Sequence, residues 1–151
     1  MANLVKRFLS KQDLKDIADA ISATEQHTSG EIRVAVRQKR AKKEKGTTVE
    51  QLARHEFVHL GMARTENRTG ILIFILLDSR EFYILADEHI HQKVAEGTWQ
   101  TIAATMSSHF TKKEFRHGVL AAVRSVGDQL AEHFPAKPGG KNELPNNVVV
   151  S

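Results

Sequence analysis

The sequence predicts a layered α/β domain built around a small mixed sheet, and three features carry that prediction. Ile71-Leu72-Ile73-Phe74-Ile75-Leu76-Leu77 is an unbroken apolar run, the pattern of a strand buried on both faces. A polar Asp78-Ser79-Arg80-Glu81 turn and the β-forming Phe82–Ala86 run follow it, which reads as a hairpin. Upstream, the order strand, helix, strand from Ile32 to Leu77 implies a right-handed crossover, so the first two strands are expected to be parallel and the third antiparallel to the second.

The first helix is read from Lys11 to Gln26. Ser10 is its N-cap, Asp13 lies in the first turn, and Leu14, Ile17, Ala18 and Ile21 recur at helical spacing. Thr28-Ser29-Gly30 ends it. Ile32, Val34 and Val36 then alternate with Arg33, Ala35 and Arg37 as a period-two strand, with Glu31 at its entry. Thr47 or Thr48 caps the second helix, with Glu50 placed for a capping box against Thr47. Leu52, Ala53, Phe57 and Leu60 form its apolar stripe, and Gly61 is placed to close it. After the hairpin, a short helix carries Ile90 and Val94 and breaks at Gly97. Trp99, Ile102, Ala103 and Met106 mark the next helix. Phe115, Val119, Ala122, Val123, Val126 and Leu130 mark a long one ending near Phe134. Residues 1–134 form a single domain in this reading. Lys137-Pro138-Gly139-Gly140 opens a Pro/Gly-rich tail over 135–151.

At 151 residues the chain is long enough for one domain with a real core, and 40% hydrophobic and 26% charged residues place it among ordinary globular proteins. The absence of cysteine excludes a disulfide framework and thiolate chemistry, in keeping with a reducing compartment. No signal-peptide core follows the first charges, and the longest apolar run is far too short to span a bilayer, so a cytoplasmic location without membrane insertion is expected. The net charge of +4 owes much to Arg37-Gln38-Lys39-Arg40-Ala41-Lys42-Lys43-Glu44-Lys45. No aromatic residue interrupts that run, so bases have no stacking platform. A solvated, mobile loop is expected rather than a nucleic-acid interface.

His55-Glu56-Phe57-Val58-His59 matches H-E-x-x-H on an expected helix, where two histidines one turn apart can hold zinc and the glutamate can activate water. No third ligand is set up for it, and the apolar stripe of the same helix competes for its orientation, so a zinc hydrolase is the least favoured reading. His89 and His91 stand beside Asp87 and Glu88 where a strand meets a helix, an arrangement that serves either a divalent ion or a polar helix cap. There is no P-loop, no G-x-S-x-G and no dinucleotide fingerprint, so no nucleotide cofactor is expected.

Thr28-Ser29-Gly30-Glu31-Ile32-Arg33-Val34, Arg68-Thr69-Gly70-Ile71-Leu72-Ile73, Ile84-Leu85-Ala86-Asp87-Glu88-His89-Ile90, Trp99, Phe134-Pro135 and Asn142-Glu143-Leu144-Pro145 follow one another in an order that resembles the TPM-domain family, in particular its compact bacterial members. The resemblance runs from about Phe8 to Val149. It implies a three-layer α/β/α sandwich of Rossmann-like appearance with a sheet of three to four strands. It also implies an acid-phosphatase activity, as in some plant members, or binding of calcium or a similar divalent ion. Its genomic neighbours make a LemA-type membrane protein a candidate partner. The chain departs from the family pattern at Ala86 and His89, where glycines are typical, and at His91, where secreted members often carry glutamate.

Strand polarity places Glu31, the loop from Arg64 to Thr69, Asp87 and Glu88 at one end of the sheet, and Asp78 and Arg80 with the basic loop at the other. Glu31, Asp87 and Glu88, with Glu66 and Asn67, are hard oxygen ligands suited to Ca²⁺ or Mg²⁺. Arg68 and His89 are candidates for holding a phosphate, Arg68 equally for pairing with an acid. A shallow depression lined by Glu31, Arg68, Asp87 and His89 is expected. The function read from the chain is a binding or adaptor module with a divalent-cation site, with a metal-dependent phosphatase as the alternative. No catalytic residue is assigned.

Overall fold

The computed structural model describes residues 3–65, 68–138 and 144–151. Among the described residues six α-helices surround a four-stranded sheet: α1 (Asn3–Phe8), α2 (Lys11–Glu25), β1 (Glu31–Arg37), α3 (Val49–His59), β2 (Gly70–Leu76), β3 (Glu81–Ala86), α4 (Glu88–Lys93), α5 (Thr98–Thr111), α6 (Phe115–His133) and β4 (Val149–Val150). The strand order is β3-β2-β1-β4. β1 and β2 are parallel, with Glu31 opposite Gly70. β2 and β3 are antiparallel, with Ile71 opposite Ala86. The crossover and hairpin polarity are those the sequence pattern demands.

β2 is the centre of the molecule. Ile71 to Leu76 are each fully buried, which needs a helical layer on both faces. Ile71, Ile73 and Ile75 pack with Ile32, Val34 and Val36 of β1 against α2, α5 and α6. Leu72, Phe74 and Leu76 pack with Ala35 against Leu52, Ala53 and Phe57 of α3, with Met62 and Leu144 completing that layer. The result is an α/β/α sandwich. Among the described residues no helix is long and apolar enough to cross a membrane.

Several local features differ from the sequence reading. α1 precedes the first expected helix. It buries Val5, and Leu9 follows it into the core, a stretch too short to announce itself by periodicity. The cap of α3 is Thr48, paired with Gln51 in the capping box, rather than Thr47 with Glu50. The basic loop is anchored. Arg37 pairs with Glu44, and Arg40 bridges to Glu81 at 3.0 Å and donates to the Thr47 carbonyl at 2.8 Å. The end of the tail, whose order the sequence leaves open, packs into the fold. β4 lies parallel to β1, with Ala35 opposite Val149, and Ser151 exchanges backbone bonds with Val36 and Gln38.

α2 and α6 approach closely at Gly127, where a Cβ would lie 2.1 Å from the Thr24 methyl. Thr is stiff about χ1 and cannot swing aside cheaply. Gly127→Ala is therefore expected to destabilise the fold by about 1–3 kcal/mol despite its better helix propensity. Thr24→Ser should recover most of that loss in the double variant. Denaturant midpoints of the four proteins in the cycle test this, and a neutral or stabilising Gly127→Ala would show that the two helices are not held at this distance.

Candidate functional site

The end of the sheet singled out by strand polarity holds a real cluster. Gly70 lies between Glu31 on one side and Asp87 on the other. The Glu31 N–H donates to the Thr69 carbonyl at 3.1 Å, and the Asp87 N–H donates to the Gly70 carbonyl at 2.9 Å. Arg68 enters β2 with a left-handed backbone (φ 55°). Its Nε reaches both Asp87 carboxylate oxygens, at 3.3 and 3.2 Å, and Glu88 lies 4.0 Å from the guanidinium. The hydrogen bond and charge of Asp87 hold Arg68 above its usual pKa. Asp87 is buried and is also the N-cap of α4, its Oδ1 accepting from the Glu88 N–H at 2.7 Å. Both carboxylate oxygens of Asp87 are thus engaged within the protein.

Glu31 has a different task. It is buried, and its Oε1 accepts the Leu144 N–H at 2.7 Å, tying the C-terminal segment to β1. Arg33 helps by donating to the Asn147 carbonyl at 3.2 Å. Glu31 and Asp87 are two strands apart, about 10 Å between backbones by sheet spacing. The space above Gly70 between them is taken by Met62, whose methyl lies 3.3 Å from where a glycine Cβ would be. No group of three potential ligands is found among the described residues. Glu66 and Asn67 lie outside the described residues. Glu88 and His89 are exposed in the first turn of α4. His55 and His59 are exposed on α3, and Glu56 is half-buried between them.

The concavity beside this cluster runs along β3 instead of across the strand ends. It encloses about 780 Å³. Residues 82–87 line it consecutively, so the edge of the strand rather than one of its faces forms the floor. Arg54, Phe57 and Val58 of α3 make one wall, and Trp99, Gln100, Ala103 and Ala104 of α5 the other. Arg68, Asp87, Glu88 and His91 close one end. Glu31 and His89 are not among its lining residues. The signals sequence reading passed over were Val58, an apolar residue 67% exposed beside the H-E-x-x-H histidines, and α5, which carries no Lys, Arg, Asp or Glu.

The TPM domain model matches residues 5–129. The chain belongs to the TPM domain family. This TPM domain is similar to the BA42 protein of the psychrophilic bacterium Bizionia argentinensis, with 30% identity and a TM-score of 0.85 over 95% of this chain and 96% of that one. It shares its fold with the N-terminal domain of a P. gingivalis protein, at 17% identity and a TM-score of 0.68 over 84% of this chain and 79% of that one. Among curated proteins none matches.

A further carboxylate, half-buried Glu25, lies where α2 meets β1. Burial pushes the Glu25 carboxyl up to about 7, against the Ile32 N–H that donates to its Oε2 at 2.7 Å and with the help of Glu31 nearby. Its Oε1 is buried without a hydrogen-bond partner. An acid whose folded-state pKa is raised stabilises the fold fully below its ordinary 4.5, and that contribution is lost as pH rises toward about 7. Glu25→Gln keeps an acceptor for Ile32 and cannot ionise. It should raise the melting temperature by a few degrees at about pH 8 and leave it nearly unchanged at about pH 5. Equal effects at both pH values would mean that Glu25 is not titrating in the folded state.

Proposed function

We propose that this TPM domain is a binding module whose ligand surface is the groove along β3. The observation that carries the reading is the combination of floor and walls. A strand edge is exposed at the base of an apolar cleft of about 780 Å³, with polar groups gathered at one end. This is the usual composition of a ligand site, apolar walls with a few placed charges. Val58, Trp99 and Ala103 supply apolar surface. The Arg68–Asp87 pair is a rigid polar stop that fixes the groove's end to the start of β2 and the cap of α4.

Trp99 is the sole tryptophan of the chain and lines the groove, so occupancy should register in its emission. An apolar anionic probe such as anilinonaphthalene sulfonate is expected to change Trp99 fluorescence and to shift the backbone amides of residues 82–87. Ala104→Phe, at an exposed position on the α5 wall, should weaken both signals without lowering stability. Shifts scattered over other surfaces, with Trp99 unaffected, would refute the assignment of the groove.

A phosphatase reading of this end of the sheet would use Arg68 as the cation that holds the phosphate. Its engagement by Asp87 argues against that role, since a phosphate would have to displace a two-oxygen contact with a buried carboxylate. Purified protein is expected to show no turnover of an aryl phosphate above that of its Asp87→Asn variant. Turnover that is present in the parent and abolished by Asp87→Asn would support phosphatase chemistry instead.

A further inference from the structure

We infer that the groove takes an extended polypeptide segment, which adds to the sheet as a further strand on the outer edge of β3. The inference rests on the groove being the binding surface and names what binds there.

The hydrogen-bond phase of the hairpin sets which groups are available. Gly70 and Asp87 form a bonded pair through the Asp87 N–H, so bonding alternates along the ladder at Leu85, Tyr83 and Glu81. The N–H and C=O groups of Phe82, Ile84 and Ala86 therefore point away from β2, into the groove. No backbone partner meets them among the described residues. Protected edges usually carry a charge, a proline or a covering segment. Residues 82–86 have no charge and no proline. The opposite side of the sheet is covered by the chain itself, through Leu144 on Glu31, Asn147 on Arg33 and β4 on β1. One edge is closed and the other is left as a template for strand addition.

The walls select the occupant. Side chains of an added strand alternate between the α5 and α3 walls. The α5 wall is Trp99, Gln100, Ala103 and Ala104, on a helix without Lys, Arg, Asp or Glu, so it accepts apolar side chains and small ones best. The α3 wall presents Arg54, which pairs with Glu50 one turn away, both side chains about half exposed, and also meets the Tyr83 hydroxyl. Such surface pairs are weak, and a carboxylate on the occupant complements Arg54 there. The occupant is a strand with apolar residues on one face and acidic residues on the other. A second copy of this domain cannot supply it from its own β3, because that edge is recessed between the copy's own α3 and α5.

The test uses the full chain and a blocked peptide of about eight residues alternating valine and glutamate. Binding should change Trp99 emission, shift the amides of Phe82, Ile84 and Ala86, and slow their hydrogen exchange. Arg54→Glu and Ala104→Phe should each weaken it by about tenfold. Two further peptides carry N-methyl groups, one on the valine amides and one on the glutamate amides. Strand addition predicts that one of them fails and the other binds. Loss on the valine set means antiparallel addition, in which residues opposite Phe82, Ile84 and Ala86 share their face. Loss on the glutamate set means parallel addition. Equal binding of both methylated peptides would overturn strand addition while leaving the groove as a binding surface. So would failure of the unmodified peptide where the dye still reports on Trp99. Loss of both peptide and dye signals would instead remove the groove itself.

Discussion

The burial of β2 on both faces is the constraint from which the rest of the molecule follows. A strand of seven apolar residues cannot meet water on either side, so one helical layer must cover each face, and the connections must be long enough to place those helices. The helix between β1 and β2 supplies one layer. The helices before β1 and after β3 supply the other. Once β2 is central and its neighbours β1 and β3 are fixed by crossover and hairpin, the sheet has two outer sides and each needs its own solution. At β1 the C-terminal segment returns, and buried Glu31 and Arg33 hold it with charge-assisted hydrogen bonds. At β3 two helices rise on either side without closing over the strand.

What could be read from the sequence is what depends on local pattern. The apolar run of β2, the alternation in β1, the polar hairpin turn and the helical stripes from Leu14 to Ile21 and from Phe115 to Leu130 each state their own structure within a few residues. Strand polarity then followed from connection rules, and it correctly brought Glu31, Gly70 and Asp87 to one level. The features that escaped are those decided by distant partners. α1 is six residues with little periodicity, and it is helical because Val5 finds a core to enter. β4 is two residues whose pairing depends on β1 having an uncovered side. The basic run reads as a loop, and its anchoring depends on Glu81 arriving from the hairpin.

The candidate site divides along the same line. That Arg68 and Asp87 would share a level was legible, because the hairpin and the parallel crossover fix it. Which task each acid performs was not. Glu31 and Asp87 share a level but are separated by Met62 standing over Gly70, a contact made by a residue from the turn after α3. The groove is more distributed still. Its floor is a backbone edge, invisible in side-chain identity, and its walls come from helices on opposite layers.

Arg68 shows how a functional residue type can be held by a structural task. Its left-handed backbone costs about 1 kcal/mol or more for a residue with a Cβ, and that geometry persists because the guanidinium meets a carboxylate that is itself fixed twice, by the cap of α4 and by the Asp87 N–H on Gly70. A buried carboxylate left without its cation is strongly unfavourable, so Arg68 cannot be released to a ligand without a replacement for it at Asp87. The pair therefore serves as a fixed wall at the groove's end. In the proposed binding, contact falls to the groups that have no such commitment, the outward N–H and C=O of Phe82, Ile84 and Ala86, and the apolar surface of Val58 and Trp99 around them.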